Sequence, residues 1–167
     1  SCIKIIPDSI VTERKVLHFD QKSEHFQSDI SSDILKIVYV NRYFNTPPQV
    51  GFISGIGIKR GAFASSISHD SHNIIAVGCT DTDIIVAINE VIKSKGGLVV
   101  NDGHKLYTLP LPVGGIMSDL SGEEVANRYT RLNKLLLEMG TSLNSPFMTL
   151  SFMALVVIPT LKIGEKG

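Results

Sequence analysis

Between two apolar runs lies a pentad made only of chemistry-bearing side chains: His69, Asp70, Ser71, His72 and Asn73. Two imidazoles three residues apart can act as metal ligands. They can equally give and take protons near neutral pH, with the Asp70 carboxylate to orient or charge-balance them. Ser71 and Asn73 add a hydroxyl and an amide, which donate and accept hydrogen bonds but do not titrate. The competing reading is a polar turn in which Asp70 and Asn73 bond their own backbone. The other histidines, His18, His25 and His104, lie in separate polar contexts and read as solvated.

No other segment offers as much. Gly51, Gly55, Gly57 and Gly61 suggest a phosphate cradle, but their spacing fits neither G-x-G-x-x-G nor G-x-x-x-x-G-K-[ST]. The segment also runs on into another strand instead of opening a helix, so close backbone packing explains the glycines better. Cys79 follows an apolar run without an activating neighbour and reads as an inert buried thiol. The sequence contains no nucleophile elbow, no CxxC and no HExxH.

The elements around the pentad follow from periodicity. The β-branched run Ile34 to Val40 predicts a buried strand, and Asn45-Thr-Pro-Pro48 breaks the chain after it. Phe52 to Ile58 and Ala62 to Ile67 read as strands before the pentad, and Ile74 to Gly78 as a buried strand after it. A helix over 82–95 is signalled by Asp81 as cap, by Ile84, Ile88, Val91 and Ile92 at helical spacing, and by Gly96-Gly97 as stop. Leu98 to Val100 and Leu106 to Leu109 flank Asn101-Asp-Gly103, a hairpin signal. A second helix over 122–139 opens on a capping box, Ser121 with Glu124, and carries the stripe Val125, Tyr129, Leu132, Leu136, Met139. The run Pro146 to Leu155 reads as core, with a soft apolar contact surface as the alternative. The order strand, helix, strand, strand, helix predicts an α+β fold: a mixed β-sheet with two main helices packed on it.

The 167 residues suffice for one domain with a substantial core. Sixteen basic and sixteen acidic residues leave no net charge, so no field exists to hold nucleic acid or an anionic membrane. Only 19% of residues are charged. Either the sheet is covered on both faces, or part of the surface docks on another body. Two cysteines make no disulfide framework and favour a reducing, cytoplasmic setting. The most apolar stretch, Phe147 to Ile158, falls short of the ~20 residues a membrane span needs. Both ends read as cut from a larger protein.

The block Gly57-Ile-Lys-Arg-Gly-Ala-Phe-Ala-Ser-Ser-Ile-Ser-His-Asp-Ser-His-Asn-Ile-Ile-Ala-Val-Gly78 resembles the signature of the adenine deaminase C-terminal domain. Gly96 to Val100, Leu109 to Ser118, Pro146 to Leu155 and Ile158 to Lys162 agree with it in order and spacing. The likeness covers roughly residues 34–165, with 1–33 expected as a connector from a preceding barrel and 34–167 as the domain. It implies a hydrolase of purine metabolism that converts adenine and water to hypoxanthine and ammonia. It also implies a divalent transition metal, manganese or iron, held by a His-x-His pair and other ligands of the barrel. No His-x-His occurs here, so no metal ligand is assigned to this chain, which alone is expected to be inactive. On this reading His69, Asp70 and His72 are the catalytic candidates, and Ser71 and Asn73 contact substrate. A homodimer is expected, and neither nucleic acid nor membrane is a partner. The alternatives are an interaction or oligomerisation module with 69–73 as a structural turn, and an independent small-ligand domain.

Overall fold

The structure, a computed structural model, describes residues 1–17 and 26–167. His18 and His25 therefore lie outside the described residues. The described elements are β1 (Cys2–Ile5), β2 (Thr12–Lys15), β3 (Ile34–Val40), β4 (Gln49–Ser54), β5 (Ala62–Ser65), β6 (Ile74–Gly78), α1 (Asp81–Lys93), β7 (Gly97–Asn101), β8 (Leu106–Pro110), α2 (Gly122–Met139) and α3 (Pro146–Phe152). All eight strands form one sheet in the order β2-β1-β4-β3-β6-β5-β7-β8. Only β1 and β4 pair in parallel; every other neighbouring pair is antiparallel. The fold is α+β with a mixed sheet, as the order of elements predicts.

The helices divide between the two faces. Side chains alternate along a strand, so Leu35, Ile37 and Tyr39 of β3 join one core and Val38 the other. The first core holds α2 and α3 through Leu132, Leu136, Met139, Phe147 and Leu150, with Phe63 edge-on to Phe147 at 5.4 Å between ring centroids. The second holds α1 through Ile84, Ala87, Ile88 and Val91 against Ala62, Ala64, Ala76 and Val99. Small residues let α1 lie close. A Cβ at Gly78 would come within 2.5 Å of the Ala62 Cβ and 2.7 Å of Ile84 Cγ1. Both faces of the sheet are covered, which is one of the two arrangements that the low charge content allows.

Three local details correct the expectations. The α1 cap is Thr80, whose hydroxyl accepts from the Asp83 amide, and Asp81 is the first helical residue. β4 ends at Ser54, because the Asp33 carboxylate accepts from the Gly55 and Gly57 amides at 2.7 and 2.8 Å and draws the chain out of the sheet. Those amides are the ones a phosphate cradle would offer, and a carboxylate of the same chain already occupies them. The run from Pro146 forms a third helix, α3, with Pro146, Phe147, Leu150 and Ser151 buried; Ser121 caps α2 as the capping box predicts. Residues 1–33, expected as a connector, contribute β1 and β2 to the sheet. The far end of the chain closes on β2, where the Thr12 hydroxyl donates to the Leu161 carbonyl at 2.7 Å.

Candidate functional site

The pentad occupies the connection between β5 and β6, at the pole of the sheet where β3 ends, since Val40 pairs with Ile74. Its frame is Ser68, which is fully buried. The Ser68 carbonyl accepts from the His72 amide and its hydroxyl donates to the Asn73 carbonyl, both at 2.7 Å. These two bonds close residues 68–73 into a tight loop. Turn and functional loop are thus not exclusive here, because a closed backbone presents its side chains in fixed directions.

Asn73 fastens the loop to the sheet. It is 1% exposed, and its side-chain nitrogen donates to Tyr39 Oη at 2.5 Å and to Ser71 Oγ at 2.9 Å. Its Oδ1 accepts from the Arg42 amide at 2.9 Å, and Tyr39 Oη lies 3.1 Å from Ser71 Oγ. A buried amide with every donor and acceptor engaged specifies a position more than it stabilises. Asn73 therefore holds Ser71, and the exposed Ser71 faces solvent. With Asp70 it lines a cavity of about 470 Å³ whose other wall comes from Ala154, Leu155, Val156 and the chain end from Gly164.

The two imidazoles have different environments. The His69 amide donates to the Ser151 carbonyl at 3.0 Å, and its ring stacks on Phe152 with centroids 5.0 Å apart and planes at 23°. His72 meets His69 edge-on at 5.9 Å. His72 Nδ1 is buried without a protein partner. Burial first, then the neighbouring His69 and Arg42, hold His72 below its ordinary pKa, and only Asp70 acts against them. Each of these causes except Asp70 favours the neutral ring. Cys79, by contrast, is a buried thiol pushed up to about 11 by desolvation, which disfavours the thiolate that nucleophilic chemistry would need.

All five sequence-predicted residues stand together at this pole, by construction of the loop. Tyr39, Arg42, Ser151 and Phe152 complete the site and were not foreseen. The antiparallel pairing of β3 with β6 would have pointed to Tyr39 and Arg42. Nothing local in Pro146 to Phe152 marks Phe152 as the platform for His69. Among the described residues no group of three or more His, Cys, Asp or Glu side chains could hold a metal ion. The donor set of this pole does not fit a catalytic metal centre. No described helix is long and apolar enough to cross a membrane.

Fold and loop define a class: an α+β domain with cores on both faces of one sheet and a hydrogen-bonded polar loop at one pole. The chain belongs to the adenine deaminase C-terminal domain family, whose profile matches residues 9–167. It is 53% identical over 158 residues to an adenine deaminase of Methanosarcina acetivorans, covering 95% of this chain and 29% of that protein. The adenine deaminase of Sulfurovum sp. is 46% identical over 166 residues, 99% of this chain and 30% of the relative. That of Borreliella burgdorferi is 44% identical over 167 residues, with the same two shares. The chain thus spans under a third of the length of the curated relatives it matches.

Proposed function

We propose that this chain is the C-terminal domain of a metal-dependent adenine deaminase, a cytoplasmic hydrolase converting adenine and water to hypoxanthine and ammonia. The 69–73 loop faces the active-site mouth of the preceding barrel domain, and residues 1–33 lead in from that barrel. The divalent metal, manganese or iron, belongs to the barrel, where it would supply activated water; the residues of this chain do not compose its site. The full-length enzyme is a homodimer. One observation carries the reading: two imidazoles and a carboxylate stand on a loop locked by Ser68 and Asn73, inside the stretch that the family profile matches.

Deamination requires a proton at a ring nitrogen and another on the departing amine. His72, neutral and partly accessible, takes and returns a proton, while His69, fixed on Phe152, and Asp70 orient it. Ser71 hydrogen-bonds the purine edge, and Asn73 acts on the substrate through Ser71. Packing this pole on a barrel mouth would also exclude water, which strengthens every polar contact inside.

The test is alanine substitution of His69, Asp70 and His72 in the full-length enzyme, with kcat/KM, metal content and melting temperature measured together. Catalytic support predicts a fall of ~10²-fold or more in kcat/KM, about 2.7 kcal/mol, with metal content and melting little changed. The interaction-module reading predicts the opposite pattern: turnover per folded enzyme kept, and melting or mass altered. The chain by itself should release no ammonia from adenine.

A further inference from the structure

The two poles of the sheet differ in kind. At the pole opposite the 69–73 loop the chain turns through polar residues: Ser31 and Ser32 before β3, Lys59 and Arg60 before β5, and His104 and Lys105 between β7 and β8, all exposed. At the pole of the loop, large apolar side chains stand in solvent. Phe44 is 70% exposed, Met117 56% and Val157 73%, and their chain neighbours Tyr43, Ile116 and Val156 are exposed with them. The reading above uses none of these six.

They flank the loop on both faces of the sheet. Tyr43 and Phe44 follow Arg42, whose amide donates to Asn73 Oδ1, and they border a cavity of about 470 Å³ on the α1 side, with Val91 and Ile92 in its wall. The 113–117 turn is drawn to the same place, because the Gly114 carbonyl accepts from the Arg42 guanidinium at 2.6 Å. That turn closes on itself through the Met117 amide, which donates to the Val113 carbonyl at 3.1 Å. On the side of α3, Val156 lines one cavity with Asp70 and Ser71. A polar loop thus sits between apolar shoulders.

Exposed apolar residues grouped in this way mark interaction surfaces, and contacts around a polar centre serve to keep water from it. Aromatic residues and methionine are among the types enriched there. The occupant follows from length. The chain spans 29 to 30% of the three relatives described above, and the profile it matches is that of a C-terminal domain, so most of such a protein precedes this one. A tethered neighbour docks at an effective concentration on the order of millimolar, without needing a large surface. A second copy fits worse, since a two-fold contact sets the patch against itself and brings Asp70 and both imidazoles toward their own equivalents.

We propose that Tyr43, Phe44, Ile116, Met117, Val156 and Val157 dock this pole on an apolar rim of the preceding domain of the same polypeptide and close the 69–73 loop off from water. The inference rests on the reading above that a barrel precedes this chain. It adds which side chains make the seal and what chemistry the barrel must offer them.

The experiment places single cysteines in the full-length enzyme, Phe44→Cys, Met117→Cys and Val157→Cys, with His104→Cys at the opposite pole as control. Maleimide labelling is followed by mass spectrometry; Cys2 and Cys79 are buried. Positions 44, 117 and 157 should label at least ~tenfold more slowly than position 104, since a docked surface reacts only when it opens. p-Benzoylphenylalanine in place of Phe44 should cross-link on irradiation to the preceding domain, with a product of one-chain mass. A product of two-chain mass would show a second copy on this pole and overturn the proposal. Val157→Glu should lower kcat/KM by roughly tenfold to 10²-fold, the scale of a misplaced catalytic group, and unchanged turnover would overturn the sealing role. Labelling at 44, 117 and 157 as fast as at 104, while His72→Ala still loses turnover, would overturn this inference alone. Protection at those positions with full turnover in His69→Ala, Asp70→Ala and His72→Ala would instead overturn the site reading and leave the docked pole standing.

Discussion

Beneath α1, Ala62, Ala64 and Ala76 make a smooth floor on which Ile84, Ile88 and Val91 pack; at the pole of β5 and β6, the backbone is held by polar side chains reaching across the chain. Burial and shape hold the first region, and its contacts are regular and repeat with the strand. Hydrogen bonds hold the second, between residues 31 to 34 positions apart. A core of the first kind sets how much stability the domain has. A network of the second kind sets where particular groups stand, and it can be damaged locally while the sheet survives.

The contrast breaks first at the core. Phe63 is fully buried against Phe147, and Phe63→Ala should cost ~3–5 kcal/mol in chemical denaturation. Activity per folded molecule should be unchanged in the full-length enzyme. Next comes the polar pole: Asn73→Leu leaves the Arg42 amide without its partner, strips Tyr39 Oη of one of its two, and should cost ~1–3 kcal/mol. Its distinguishing sign is faster amide exchange confined to residues 68–73, with β5 and β6 still protected. Equal loss of protection across the sheet would erase the distinction between the two regions.

The pH dependence of stability sharpens the same contrast. His72 is held below its ordinary value of 6.5 in the fold, so the unfolded chain takes a proton first. Stability should therefore fall as pH drops below 6.5, until the folded ring also protonates, and His72→Gln should flatten that limb. In the core, Cys79 rises from 9.0 to about 11, so the unfolded chain ionises first in alkali. Stability should fall between those values, and Cys79→Ala should shrink that alkaline limb, leaving the part due to Cys2, whose thiol burial also raises. The smallest effect is expected from Ser121→Ala, which loses a helix cap remote from both regions for ~1 kcal/mol.

The two regions also differ in how far sequence reveals them. The second helix, the β7–β8 hairpin and strands β3 and β6 stand where periodicity and turn residues put them, because each is a local pattern completed within a few residues. The split of the helices between two faces was not legible, since it depends on which strands neighbour one another. The pentad declared itself by composition alone. Its supports did not: Tyr39 looks like one more residue of a β-branched run, Phe152 like core, and Arg42 like a solvated charge after a strand. Only the pairing of β3 with β6 and the return of α3 bring them together, and both are long-range events. The Gly55–Gly57 stretch misled for a related reason. Its departure from the sheet is set by Asp33, more than twenty residues away.

The central claim is that the 69–73 loop stands at a purine-binding active site in the full-length enzyme. The most direct measurement is a crystal structure of that enzyme with a bound purine. The account predicts a side-chain atom of His69, Asp70 or His72 within ~3.2 Å of the purine or of one bridging water, with Ser71 facing the ring edge. A loop turned to solvent or buried in a subunit contact, with no path to the purine, would contradict it.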